Sequence, residues 1–442
     1  MACSPSSAIP DGGDDDGGAD ADTSFSYTPQ GCSYTVTLPA ARGFQNVGLD
    51  DGAAVTDVPG ATPVRVRIGL GGGASGADAR TSAVFTWETS GQNNTAEVKI
   101  GANVYKGHVW TTPPPTVGIG TDEPPVYMHE VHVCGLTAGT TYPYQVGGGA
   151  AGADVWSPSA SFATLPGTGA ITLGVSGDSR DSSSIFQMVQ QRFHDAGVAM
   201  QLFSGDFVLW GSQASLYQTW LGAASPTLGT QIILPVAGNH ENSSSQFYGN
   251  FALPGDDGPY AEQFFSVDIG SAHIVMFDDQ ELSTEPTIDE SQAVLKFIDD
   301  DLTKAEANRA NVPFLIAVHH RAEFGNGVHS TDGDEIQARA SLNPIWDKHH
   351  VDLVINGHEH NYERSKPITG PATAPVVQTD TTKGTTYVVC AGAGASSESS
   401  KGATTYDATQ VSFDGSSPYV GVYATLGLDA HTLTWTAYGL QA

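Results

Sequence analysis

Asp, Asn and His residues recur directly after short apolar, β-branched runs in the second part of this chain. The segments are Gly177-Asp178, Gly205-Asp206, Gly238-Asn239-His240-Glu241, Val318-His319-His320 and Gly357-His358-Glu359-His360. The runs before them, Ile171–Ser176, Met200–Ser204, Ile232–Val236, Phe314–Val318 and Leu353–Asn356, read as buried strands. In an open α/β sheet the carboxyl ends of such strands share one edge, so loops from several of them can meet. Carboxylate oxygens, an amide oxygen and imidazole nitrogens form a mixed ligand set that suits zinc, iron or manganese better than calcium. A Gly before the ligand lets the chain turn sharply off its strand. One Gly-Asp pair alone is common and means little; the weight lies in the repetition at successive strand ends. Two ions held side by side clamp the oxygens of a displacement, so the pattern points to a binuclear metal hydrolase.

The elements that position these residues fall into two domains. Residues 27–165 read as all-β, with runs at Val64–Leu70, Ala83–Thr89, Thr95–Ile100, Tyr105–Thr111, Tyr127–Val133 and Thr141–Val146 separated by Gly, Pro and Asn turns. Leu136 followed by Gly139-Thr140-Thr141-Tyr142 resembles the turn and tyrosine corner of fibronectin type III-like sandwiches, and Trp87 fits such a core. Leu165-Pro166-Gly167-Thr168-Gly169 punctuates the chain. Beyond it, strands alternate with amphipathic helices: Ile185, Met188, Val189 and Phe193 share one helical face, as do Val294, Leu295, Ile298 and Leu302. Strands return at Thr385–Cys390, Tyr419–Thr425 and Thr432–Ala437. The expected fold is an N-terminal β-sandwich followed, over residues 170–442, by an α/β domain layered α-β-β-α.

The chain has 442 residues, 18 basic against 48 acidic, a net charge of −30. Such a surface repels polyanions and argues against a nucleic-acid partner. Part of the charge is local: Asp11, Asp14, Asp15, Asp16, Asp20 and Asp22 lie in a Gly/Ala-rich stretch, and residues 1–26 read as a disordered tether. No apolar run is long enough to span a bilayer. Met1-Ala2-Cys3-Ser4 carries no signal-peptide hydrophobic segment. Ala2-Cys3-Ser4 ahead of the acidic tether resembles the mature start of a bacterial lipoprotein, with a lipid anchor at Cys3; an arbitrary start is the alternative. Cys32 and Cys134 are placed to pair in the N-terminal domain, and Cys390 reads as a buried thiol; spacing leaves the connectivity open. The composition is compatible with a secreted, periplasmic or cell-surface protein.

The second domain resembles the calcineurin-like metallophosphoesterase superfamily. The domain order and Asn356-Gly357-His358-Glu359-His360-Asn361-Tyr362-Glu363-Arg364 resemble its purple acid phosphatase branch. The resemblance implies two divalent or trivalent metal ions, zinc, iron or manganese. Asp178, Asp206 and His360 would hold one ion, and Asp206, Asn239, His319 and His358 the other, with Asp206 bridging. His320 would sit behind His319 and orient it. His240 matches the family's non-ligand histidine, which stabilises phosphoryl oxygens or protonates the leaving group. His329, on the Gly/Asn-rich loop 325–330, stands where the branch places substrate-facing histidines and is a candidate general acid. Two positions depart from the pattern. Leu209 stands where purple acid phosphatases carry the iron-binding Tyr, and Arg180 where the wider superfamily carries a His. The first ion thus lacks a ligand, no purple colour is expected, and Arg180 is free to clamp a phosphoryl group through its planar fork.

The implied activity is extracytoplasmic hydrolysis of small phosphate monoesters by a metal-activated hydroxide. A phosphodiesterase or nucleotidase of the same fold is the nearest alternative, because the ligands serve both. A catalytically decayed surface-binding protein is the other, favoured by the missing ligands. In either case the sandwich is a candidate for contact with a surface or polysaccharide.

Overall fold

A computed structural model of the chain describes residues 25–38, 45–49, 62–89, 95–111, 127–148, 155–225, 227–255, 260–280, 282, 289–371, 373–380, 382–398, 406–413 and 417–441. Cys3 and nearly all of the acidic tether lie outside them.

Alternation builds the N-terminal sandwich. Strand Ser82–Thr89 pairs antiparallel with Val64–Gly69 on one side and Tyr127–Cys134 on the other. Thr141–Gly148 pairs with Glu97–Ile100 and Ala160–Ala163 in the facing sheet. Between them Phe85 meets the rings of Tyr144 at 4.7 Å and Phe162 at 5.1 Å. Trp87 is fully buried, as the sequence reading required. The tyrosine corner is present: the Tyr142 hydroxyl accepts the Thr137 N–H at 2.8 Å. Cys32 and Cys134 form a disulfide, and Cys390 is a buried free thiol.

In the second domain Ile171–Ser176, Met200–Phe203 and Ile232–Pro235 run parallel, with Tyr419–Leu428 antiparallel at their flank. A second, seven-stranded sheet sets Ala272–Phe277, Phe314–Val318, Leu353–Asn356 and Thr386–Cys390 parallel to one another. Successive strand residues point to opposite faces. Accordingly Ile274, Met276, Ile316, Val318, Leu353 and Ile355 join the core between the sheets. Val275, Phe277, Leu315, Ala317 and Val354 turn the other way, against helices Asp289–Ala307 and Gly333–His349. Helix Ser183–Ala196 buries Phe186, Val189 and Phe193 on the first sheet. This is the expected α-β-β-α layering.

One feature of the fold departs from two separate units. Ile232 pairs in parallel with Ile68 of the N-terminal domain, so one ten-stranded sheet runs through both. The junction is polar and satisfied: the Tyr144 hydroxyl donates to the Gly229 carbonyl at 2.6 Å, and buried Arg67 donates to Asn250 Oδ1 at 3.0 Å. The architecture changes at 165–169; the hydrogen-bonded sheet does not stop there. Among the described residues no helix is long and apolar enough to cross a membrane.

Candidate metal centre

The loops after the five strands meet, and the strain of meeting falls on the functional residues. Asp178, Asp206 and His358 have φ of 56°, 60° and 71°, a region that side chains other than Gly seldom occupy. Three of the four preceding glycines are needed for space rather than for a left-handed turn. A Cβ on Gly357 would lie 2.5 Å from Asp178 Oδ2, and one on Gly238 would lie 2.3 Å from Asp206 Oδ1. At Gly177 the obstacle is Ser204 Oγ at 2.2 Å; only Gly205 has a positive φ, 96°. The expectation that each Gly supplies the turn is corrected accordingly.

Asp178 is completely buried. Its N–H donates to the Gly205 carbonyl at 2.9 Å and its Oδ1 accepts the His358 N–H at 3.0 Å, whereas Oδ2 has no hydrogen-bond partner. Burial, and then the neighbouring Asp206, hold its carboxyl well above the usual range. Asp206 Oδ1 accepts the His240 N–H at 3.1 Å. Asn239 Oδ1 lies 2.9 Å from both His320 Nε2 and His358 Nδ1. One ligand atom each from Asp178, Asp206 and His320 falls within a mutual 4.8 Å.

The adjacent histidines are placed opposite to the expectation. His320 faces the cluster, and His319 points away from it. His319 continues the alternation of Leu315 and Ala317 toward the helices, stacking on Phe277 at 4.7 Å. Its Nδ1 meets Asp279 at 2.9 Å and its Nε2 meets Glu323 at 3.1 Å. Burial opposes its charge, but Glu323 and the hydrogen bond to Asp279 overcome that and raise its pKa to about 9. His320 follows Ile316 and Val318 to the inter-sheet face. The period-two rule applied across the end of the strand distinguishes the two.

The donor set fits a cation. The Nδ1–H groups of His320 and His360 donate to the carbonyls of Ser204 and Ser396, each at 2.7 Å. Both rings are thereby held in the tautomer that leaves Nε2 as a lone pair, the usual second contact of a metal-binding imidazole. Nε2 of His320 then meets Asn239 Oδ1 at 2.9 Å and Asp206 Oδ1 at 3.3 Å as acceptor against acceptor. That arrangement, with the orphaned Asp178 Oδ2 beside it, is repulsive until a cation lies among these atoms.

The remaining residues border this cluster. His240 donates from Nδ1 to the Leu209 carbonyl at 2.8 Å, and its Nε2 lies 3.8 Å from Asp206 Oδ2. The His329 ring centroid is 4.5 Å from that of His358, and its Nδ1 donates to Asp332 at 2.9 Å. Glu398 chiefly, then Asp332, raise the His329 pKa to about 9. Arg180 donates from Nη2 to His360 Nε2 at 3.1 Å, and its Nε lies 3.6 Å from Asp206 Oδ2. Leu209 and Trp210, 37% and 50% exposed, wall a cavity of about 530 Å³ that also contains Asn239 and His240.

Sequence reasoning gave Glu241 no role, yet it holds two loops together. It accepts the N–H groups of Asp206 at 2.8 Å, Phe207 at 3.0 Å, Val208 at 3.4 Å and Gly238 at 2.9 Å. Burial and Asp206 push its carboxyl up to about 8. The available signal was its place in the motif: an acidic residue inside a strand-end segment of ligand-type residues.

Comparison with known proteins agrees with this architecture. Residues 172–362 match the calcineurin-like phosphoesterase family, and residues 65–164 match the purple acid phosphatase N-terminal domain. Human (Homo sapiens) acid phosphatase type 7 is 27% identical over 269 residues, covering 55% of this chain and 58% of that protein. Probable inactive purple acid phosphatase 27 of Arabidopsis thaliana is 28% identical, covering 55% and 45%. The chain thus spans about half the length of the relatives it matches. Purple acid phosphatase PPD1 from yellow lupin (Lupinus luteus) seeds shares the fold at a TM-score of 0.70 and 18% identity, covering 92% of this chain and 79% of that one. With both domain types in order and the ligand-type residues gathered at the strand ends, the chain carries a calcineurin-like phosphoesterase domain preceded by a purple acid phosphatase N-terminal domain.

Proposed function

We propose that the chain is a metal-dependent phosphatase acting on small phosphate monoesters outside the cytoplasm. The observation that carries this is the meeting of Asp178, Asp206, Asn239, His320 and His358 around an orphaned carboxylate oxygen. We assign these residues as metal ligands, with His320 in the place the sequence reading gave to His319. Bound there, transition-metal ions supply positive charge against phosphoryl oxygens and acidify water. His240, held by the Leu209 carbonyl, turns Nε2 toward the cluster, where a proton can pass to the departing ester oxygen. Charged His329, beside His358, adds a donor on the opposite rim. The Leu209–Trp210 cavity next to His240 is the natural seat of the leaving group. The net charge of −30 favours small substrates over polyanionic ones. The Cys32–Cys134 disulfide supports an oxidising location.

The test is hydrolysis of p-nitrophenyl phosphate by chelator-stripped protein reloaded with Zn, Mn, Fe or Mg, beside Asn239→Ala. Activity that returns with metal and is lost in the variant is the expected result, with bis-p-nitrophenyl phosphate turned over more slowly. Faster turnover of the diester would make the chain a phosphodiesterase. Leu209 and Arg180 favour a second reading, a binding protein without turnover, and some relatives carry "probable inactive" in their names. Silence on both esters with every metal would establish that reading instead.

A further inference from the structure

The fold holds binuclear centres, and in this chain one of the two positions is already filled by a side chain. We propose that the guanidinium of Arg180 stands in for one metal ion, so that the protein binds a single ion among Asp178, Asp206, Asn239, His320 and His358. The inference rests on the metal-centre reading above.

Three observations converge on it. First, Arg180 spends the lone pair that a second ion would need: its Nη2 donates to His360 Nε2 at 3.1 Å, while His360 Nδ1 is committed to the Ser396 carbonyl. His360 therefore has no lone pair left to give. Second, the guanidinium lies against the carboxylate that both ions would share, with Nε 3.6 Å from Asp206 Oδ2. That Nε is buried and makes no hydrogen bond, so the group is set there as a charge, with donor capacity to spare. Third, Leu209 offers no ligand atom, and neither do the side chains of Phe207, Val208 and Trp210. A second ion would find Asp178, Asp206 and a blocked imidazole, next to a fixed positive charge. Like charges at that separation disfavour each other strongly in a water-poor site.

The other position has none of these faults. The atoms of Asp178, Asp206 and His320 that lie within a mutual 4.8 Å are acceptors, and Asn239 Oδ1 joins them. One divalent ion there and the guanidinium beside it balance the carboxylates of Asp178, Asp206 and Asp181, the last 3.6 Å from Arg180 Nη1; two divalent ions plus the guanidinium would leave two positive charges in excess.

Metal content decides this. The full chain, loaded with Zn²⁺ or Mn²⁺ and freed of excess metal, should carry one ion by elemental analysis and show one binding event by calorimetry. Arg180→His, which removes the guanidinium and adds an imidazole, should carry two. Arg180→Ala should take up a second ion more weakly, at least tenfold by dissociation constant. Mn²⁺ in the wild type should give the resonance of an isolated ion, and in Arg180→His that of a coupled pair. Two ions in the wild type, or one in Arg180→His with its thermal transition intact, would overturn the proposal. Two ions together with turnover would leave the phosphatase reading standing alone. One ion without turnover would uphold the single-ion centre and count against the phosphatase. No ion at all would end both.

Discussion

Glu241 shows how a side chain outside the ligand set can control it. Its carboxyl group meets N–H donors, those of Asp206, Phe207, Val208 and Gly238. Glu241→Gln replaces one acceptor oxygen with an NH₂ group that faces donors. We expect a loss of about 2–3 kcal/mol in stability and at least about tenfold in metal affinity, because the Asp206 and Asn239 loops lose their common anchor. Denaturant titration and calorimetry check this; unchanged metal affinity would show that the loops hold their shape without it. The paired histidines separate in a similar experiment. His320→Ala should abolish metal binding with modest effect on folding. His319→Ala should cost about 3–5 kcal/mol, because Glu323 is left buried without its cation and Asp279 keeps only Arg321, while metal binding survives in whatever protein remains folded. The reverse result would restore the assignment that the sequence alone suggested. Residue types were legible at this scale and side-chain direction was not. His319 and His320 look alike in sequence, and only the alternation of Ile316 and Val318 against Leu315 and Ala317 assigns their faces.

The strand-to-loop junction is the element that makes the centre, and its glycines are its weak points. Gly357→Ala places a methyl 2.5 Å from Asp178 Oδ2 and 2.9 Å from the Ser204 carbonyl, so the carboxylate has to move. We expect metal affinity to fall at least about tenfold, since ligands displaced by a few tenths of an ångström lose their shared geometry. Gly222→Ala is the control: it lies in helix Ala214–Ala224 with nothing within 4 Å, and should stabilise the fold by about 0.5–1 kcal/mol. Equal metal affinity in the two variants would refute the close-packing account. The strands themselves were plain in the sequence. Ile171–Ser176, Phe314–Val318 and Leu353–Asn356 have the same bounds in the structure as the apolar runs suggest, because parallel strands covered on both faces write nearly continuous apolar stretches. The bridge between Ile68 and Ile232 was not legible, because a single long-range pair leaves no local pattern in either strand.

At the scale of the whole molecule, the acidic surface makes the few buried cations important to stability, and His273 offers the cleanest test. Its ring ties strand Ala272–Phe277 to helix Asp289–Ala307, with Nδ1 2.8 Å from Asp268 and Nε2 2.8 Å from Asp301. Burial works against the charged ring, but the hydrogen bonds to Asp268 and Asp301 overcome it and raise the pKa to about 9. In the unfolded chain the value is about 6.5. A raised folded-state pKa means that the folded protein holds the proton more tightly. The contribution is therefore complete below about pH 6.5 and disappears as the pH rises through about 9. The size of the shift corresponds to about 3 kcal/mol. His319 and His329 shift in the same direction, so wild-type stability alone does not isolate the effect. The comparison with His273→Gln does. The wild type should lose about 3 kcal/mol more than the variant between pH 6 and pH 9.5 in urea titrations with metal held constant. Parallel curves for the two proteins would mean that Asp268 and Asp301 hold a neutral ring. The alkaline loss of stability would then come from His319, from His329 or from self-repulsion of the net charge of −30, which deepens as histidines lose their protons.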